Sequence, residues 1–365
     1  MAMKKEERIV LETSRLSGVL NAHLIEELLV EGVSWEEIIR IAFKNKTLNL
    51  MYYNLQTLGL TKYIPKYIIS LLDDANNCNY LRNETKLNEL AKIQQCAIQK
   101  GIIVAPVKGG YLIDNLYKNR MIRKTNDIDL LIKREDIRLV EQIMFENGYE
   151  YGEWDRLTNT VVKPDATKRM LYKTKMYNLL PFVKVDHSIP NRTVIFDCSF
   201  ALDFTLDTKP VCEMLTNAKR TANGYELQPE HLFVHMCCHH YREASNVAWF
   251  LIGKDLNLIK FCDVREFVLQ KMDKEMMTKA LMFAEKHHLR KAIYFTIYFL
   301  REIYNDGYET ELLRLLNIED ESFLYQFGEM DYVEAQTRKK DFWTSIFDDT
   351  NRDEVSSKPK YKELI

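Results

Sequence analysis

Glycine and proline are scarce in this sequence, 12 and 8 residues out of 365. Both punctuate turns and loops, so their scarcity points away from a loop-rich chain and toward one dominated by helices. Long hydrophobic runs are missing as well. Without about eighteen consecutive apolar residues, no segment reads as a membrane-spanning helix, and a membrane partner is not expected. The seven cysteines, Cys78, Cys96, Cys198, Cys212, Cys237, Cys238 and Cys262, are odd in number and lack the spacing of a disulfide framework. No signal peptide is read at the N-terminus, so reduced thiols and a cytoplasmic location are expected. An excess of charge of one sign is also lacking. Lys and Arg total 51 against 53 Asp and Glu, a net charge of −2. Long nucleic acid is therefore disfavoured as a partner, although a local basic patch remains compatible with the composition. The abundant class is apolar, 46% of residues, enough for proper cores in a chain with room for two or three domains.

Apolar positions at helical spacing predict helices over 16–30 and, after a Ser34-x-x-Glu37 capping box, over 35–58. Further helices are predicted from Pro65 through Leu72 and from Asn83 to Lys100. The pattern divides the chain into an N-terminal helical region (1–95), a core with strands (96–205), a C-terminal helical domain (206–336) and a polar, loosely attached tail (337–365). Trp343 and Phe347, four residues apart, are expected to pin the start of that tail. C-terminal helices are predicted over 247–263, 264–272, 273–288 and 290–303, with shorter ones at 311–317 and 322–327.

The stretch Gly101–Lys133, GIIVAPVKGGYLIDNLYKNRMIRKTNDIDLLIK, carries the chemistry. An apolar run with Pro106 inside it reads as an edge strand, since proline donates no ladder hydrogen bond. It ends at Lys108-Gly109-Gly110, a turn that lets backbone N–H groups approach a phosphate at the start of a helix. A second strand follows, carrying Asp127 and Asp129. Alternation sends both side chains to one face, about 7 Å apart along the strand, where they repel unless a cation lies between them. Magnesium suits such hard oxygen donors and keeps positions for water and phosphate. Lys108 and Arg123 are the nearby cations able to contact phosphate.

A candidate third acid lies further on, in a predicted hairpin of 177–185 and 192–202 around the turn Asp186–Pro190. Asp197 stands mid-strand, where Asp is disfavoured, and such a local inconsistency marks function. Asp186, in a turn where Asp is ordinary, and Asp203 are the alternatives. Residues 152–175 hold Lys163, Lys168, Arg169, Lys173 and Lys175 and read first as a solvated surface, second as a segment reaching a triphosphate. His235 and His239 share a helical face and can in principle hold zinc. No Glu follows His235 and no Cys-x-x-Cys completes a site, so a packed histidine face is the commoner explanation.

These elements resemble the DNA polymerase β-like nucleotidyltransferase superfamily, whose pattern is strand, Gly-Gly or Gly-Ser turn, helix, then a strand with Asp-x-Asp. Val107-Lys108-Gly109, Leu116-Tyr117, Arg123 and Asp127-Ile-Asp-Leu-Leu look like a bacterial subfamily of uncharacterised nucleotidyltransferases. The sixteen residues between Gly110 and Asp127 exceed the superfamily's usual gap and are similar to the subfamily's. The resemblance implies an α+β fold, a small mixed sheet with helices, flanked by helical regions. It implies two Mg²⁺ ions held by Asp127, Asp129 and a third carboxylate, with which Asp197 aligns; Ser199 and Phe200 replace the subfamily's His and Trp. It also implies nucleotide binding by Lys108, Gly109, Gly110 and Arg123, an NTP (ATP among the candidates) as substrate, and a hydroxyl acceptor on a small molecule or protein. The alternative is a non-catalytic nucleotide-binding or scaffold protein on the same fold.

Overall fold

Buried residues in a four-three repeat organise the longest element of the protein. The computed structural model describes residues 3–16, 18, 20–186, 192–328 and 335–348. Its N-terminal part folds as helices α1 (Lys5–Glu12), α2 (Ala22–Val30), α3 (Trp35–Lys44) and α4 (Leu48–Thr57). The predicted capping box is half formed. Ser34 Oγ accepts from the Glu37 N–H at 3.3 Å, but Glu37 turns to Arg40, and the Ser34 N–H donates to Glu6 instead.

The two helices expected over 65–72 and 83–100 are one, α5, Lys66–Gln99. Leu72, Asn76, Asn79, Asn83, Lys86, Leu90, Ile93 and Ala97 form one buried stripe, spaced for a single helical face. Its middle is polar yet bonded. Asn76 accepts from Asn49 at 2.8 Å, Asn79 donates to the Met121 carbonyl at 2.7 Å, and Asn83 donates to the Arg120 carbonyl at 2.8 Å. Buried polar groups with partners do not break a helix.

The strands follow in chain order as β1 (Ala105–Val107), β2 (Ile128–Leu131), β3 (Glu150–Tyr151), β4 (Glu153–Asp155), β5 (Thr160–Val162), β6 (Phe182–Asp186) and β7 (Arg192–Ser199). Five make a mixed sheet in the order β1-β2-β7-β6-β3, in which only β2 and β7 run parallel. β1 is at the edge, where Pro106 is tolerated. The hairpin of β6 and β7 is as predicted, while residues 187–191 of its turn lie outside the described residues. Residues 152–175, expected to be irregular or partly helical, form the β4–β5 hairpin and a helix, Ala166–Lys175.

One sheet face is apolar. Ile128, Leu130, Ile132, Val194, Phe196, Cys198 and Phe200 pack with Leu90, Ile93 and Ala97 of α5 and with Val140, Ile143 and Met144 of the helix Ile137–Glu146. Each such side chain stabilises by about 1.5–3 kcal/mol when fully buried, which fixes the register of the strands and leaves the alternate residues on the opposite face.

The C-terminal helices include Pro229–Ser245, Val247–Leu251, Leu258–Lys271, Lys274–Lys286, Arg290–Ile303 and Tyr308–Leu316. The helix expected over 247–263 stops early because Gly253 takes a positive φ of 65°, and the next begins at Leu258. The tail is not loose throughout. Lys44 Nζ donates to the carbonyls of Ser345, Ile346 and Asp348 at 2.6, 2.8 and 2.9 Å, closing the C-terminus of the helix Phe342–Phe347. Trp343 and Phe347 stack as predicted. Residues 349–365 of the expected tail lie outside the described residues.

Two compact units emerge. One takes residues up to 79, 121–124 and from 237 onward, so helices from both ends of the chain share it; the other takes 80–120 and 125–236. No helix among the described residues is long and apolar enough to cross a membrane.

Candidate active site

The sheet register brings the acids together. Asp129 in β2 pairs with Val107 of β1 on one side and with Asp197 of β7 on the other. Neighbouring residues in register project to the same face, opposite the apolar core. Asp127 precedes β2 by one residue and shares the parity of Asp129. Burial, the largest effect, and the negative charges of Asp127 and Asp197 raise the Asp129 carboxyl while Lys108 lowers it, with the balance at about 7. Of the three candidates for a third acid, Asp197 alone stands on the strand beside β2. Asp186 pairs with Arg192 at the far end of β6, and Asp203 accepts from the Thr205 N–H within its own turn.

Lys108 lies at the junction of β1 and the helical turn Gly109–Leu112, and its ammonium is bonded to Asp129. Its φ of 48° and ψ of −128° match the first central position of a type II′ turn, where glycine is usual. Such a conformation costs about 1–3 kcal/mol and persists only where its surroundings enforce it. The Tyr111 and Leu112 N–H groups both donate to the Lys108 carbonyl, at 3.0 and 2.7 Å. Gly109 and Gly110 thus open the turn, where N–H groups have no acceptor within the helix. The helical segment after the turn runs from Gly109 to Tyr117, one α-turn and then a π-turn over Ile113–Tyr117.

The glycines are also steric requirements. A Cβ on Gly109 falls 2.2 Å from Thr125 Oγ1, and one on Gly110 falls 3.2 Å from Ile128 Cγ2. Thr125 is itself held by Lys86, whose ammonium is bonded to its carbonyl. Sequence reasoning missed both residues. Only the place of Lys86 in the four-three stripe of α5 betrays its burial.

Arg123 is buried, 8% exposed, and its guanidinium holds Asp263 at 2.9 Å through Nε and 2.6 Å through Nη2, a fork-on-carboxylate pairing. In the basic segment, Lys168 pairs with Glu153, while Lys163 and Lys173 pair with Glu150 and Glu141, as a solvated surface requires. His239 engages Glu243 through Nε2 at 3.0 Å and Arg242 through Nδ1 at 2.8 Å, an arrangement that uses both ring nitrogens for hydrogen bonding.

Among the described residues, no three His, Cys, Asp or Glu side chains are gathered closely enough to cage an ion unaided. Magnesium accompanying a nucleotide does not need such a cage. It takes one or two carboxylates and fills its shell with phosphate oxygens and water. The donor set of Asp127, Asp129 and Asp197, all hard oxygens on one face with Asp129 buried under like charge, fits that mode.

A strand, a Gly-Gly turn and carboxylates on paired strands thus lie side by side in the sheet. A family model described as "Uncharacterised nucleotidyltransferase" matches residues 31–305, and the chain belongs to that family. It is accordingly a transferase with a nucleotide among its substrates. No curated protein and no solved structure matches it.

Proposed function

We propose that the protein transfers a nucleoside monophosphate from an NTP to an acceptor hydroxyl, on a small molecule or a protein, with Mg²⁺ at Asp127, Asp129 and Asp197. The observation that carries this reading is the register of Asp129 with Asp197 across the parallel pair β2–β7. Magnesium held there would supply positive charge to offset the charge building on the leaving oxygen. Asp127 and Asp129 would hold the ions from one strand. Asp197, across from Asp129, would complete the set or accept the hydroxyl's proton as its oxygen attacks the α-phosphorus. That bond forms as the bond to the β-phosphate oxygen breaks, and pyrophosphate leaves. The Gly109 and Gly110 N–H groups would face the β- and γ-phosphates. Lys108, bonded to Asp129 in the present structure, would supply a point charge to the same phosphates.

Arg123 is left out of this set, because its buried pairing with Asp263 explains its placement. The test is Mg²⁺-dependent pyrophosphate release by Asp127→Asn and Asp129→Asn, each verified as folded by its melting curve. Release is expected to vanish in both. Wild-type rates in either variant refute the proposal.

A further inference from the structure

Asn178 lies ahead of β6 and forms an antiparallel bridge with Ser199, two residues beyond Asp197. The main chain around it is fixed: the Leu179 N–H donates to the Cys198 carbonyl at 2.8 Å and the Phe200 N–H to the Tyr177 carbonyl at 3.0 Å. From this position, Asn178 Nδ2 donates to Asp197 Oδ1 at 2.9 Å. The side chain is 7% exposed, and its carbonyl oxygen Oδ1 is buried without a hydrogen-bond donor.

The carboxamide cannot simply be reversed to cure this. A flip turns the carbonyl toward the carboxylate, two acceptors face to face, while the NH₂ group takes the position without a partner. The orientation is thus set by Asp197, and it costs a buried acceptor its hydrogen bond. Native structures pair such groups or give them a task. Carboxylates that bind cations are characteristically held by hydrogen bonds from an outer ring of side chains, and those bonds tune the affinity of the site.

We propose that Asn178 is a positioning residue for Asp197. Its NH₂ fixes the direction of the carboxylate that would hold the divalent cation, at the cost of leaving its own carbonyl buried without a donor. This inference rests on the metal-dependent transfer proposed above and names a residue that neither the acidic motif nor the family assignment specifies.

The experiment measures Mn²⁺ affinity by the electron paramagnetic resonance of the free ion, using the full chain with a non-hydrolysable NTP analogue. Wild type is compared with Asp129→Asn, Asn178→Leu and Asn178→Ser, and melting curves are recorded for each. Both Asn178 variants are expected to bind Mn²⁺ roughly ten- to a hundredfold more weakly. Their pyrophosphate release should recover in part as Mn²⁺ is raised. A purely structural role lowers the melting temperature and leaves the affinity of the folded protein unchanged. Serine, smaller and polar, keeps the test open if the leucine variant fails to fold. Wild-type Mn²⁺ affinity in a folded Asn178 variant overturns the assignment while sparing the metal site. Absence of Mn²⁺ binding by wild type, or equal binding by Asp129→Asn, overturns the metal-site reading and this assignment with it.

Discussion

Replacing Gly109 by alanine adds one methyl group at the tightest point of the Lys108–Gly110 turn. The new Cβ falls 2.2 Å from Thr125 Oγ1, 2.9 Å from its Cγ2 and 3.1 Å from its Cβ. Rotating the threonine does not relieve this, because its Cβ is itself close and any rotamer returns a heavy atom toward Gly109. Nor can the residue easily withdraw, since it is buried and Lys86 holds its carbonyl. Overpacking of this kind costs about 1–3 kcal/mol. Alanine recovers at most about 1 kcal/mol over glycine through its helical preference. The net expectation is a loss of about 1–2 kcal/mol, a five- to thirtyfold fall in the folded-to-unfolded ratio. Urea denaturation followed by circular dichroism measures it. Adding Thr125→Ala removes Oγ1 and Cγ2, so the double variant should be more stable than the sum of the single effects by about 1 kcal/mol. A Gly109→Ala protein as stable as wild type, or strict additivity in the pair, refutes the argument that this glycine is required by Thr125.

Two further outcomes test the framework around the site. Arg123→Ala strands Asp263 without its guanidinium in a buried setting, so thermal and urea unfolding should show a loss of about 3–5 kcal/mol. Arg123→Lys should recover only part of it, because an ammonium cannot reproduce the two-pronged contact. Glu89 offers a pH test. Burial works to raise its pKa, but hydrogen bonds from Lys92, Lys184 and Tyr149 prevail and hold it below its ordinary 4.5. A lowered carboxyl contributes stability that is fully present above the unfolded value and lost as pH falls through the folded one. Wild type should therefore exceed Glu89→Gln in melting temperature above about pH 5, with the gap closing on acidification below the ordinary glutamate range.

The sheet and its acids were legible in the sequence because alternation is a strong local signal. Val194, Phe196, Cys198 and Phe200 alternate with Ile195, Asp197 and Ser199, and the apolar set packs as the pattern demands. The register of Asp197 against Asp129 was beyond reach, since parallel partners some seventy residues apart leave no local trace of their alignment. The continuity of α5 was lost for a different reason. A search for apolar residues ends where the buried stripe turns to Asn76, Asn79, Asn83 and Lys86, whose burial depends on partners such as Asn49, Met121, Arg120 and Thr125. The pairing of Arg123 with Asp263, 140 positions away, was equally out of reach of a local reading.

The two-sided character of β7 has a consequence for fidelity. Sliding this strand by a single residue along β2 moves its side chains to the opposite face. Asp197 would enter the apolar layer just as Phe196 or Cys198 left it, so the slipped form would carry both a buried charge and a hole. The alignment of Asp197 with Asp129 and the hydrophobic packing are thus decided by one choice of register. A molecule that misplaces Asp197 is penalised by its own core, and folding acts as the inspector of the acidic pair.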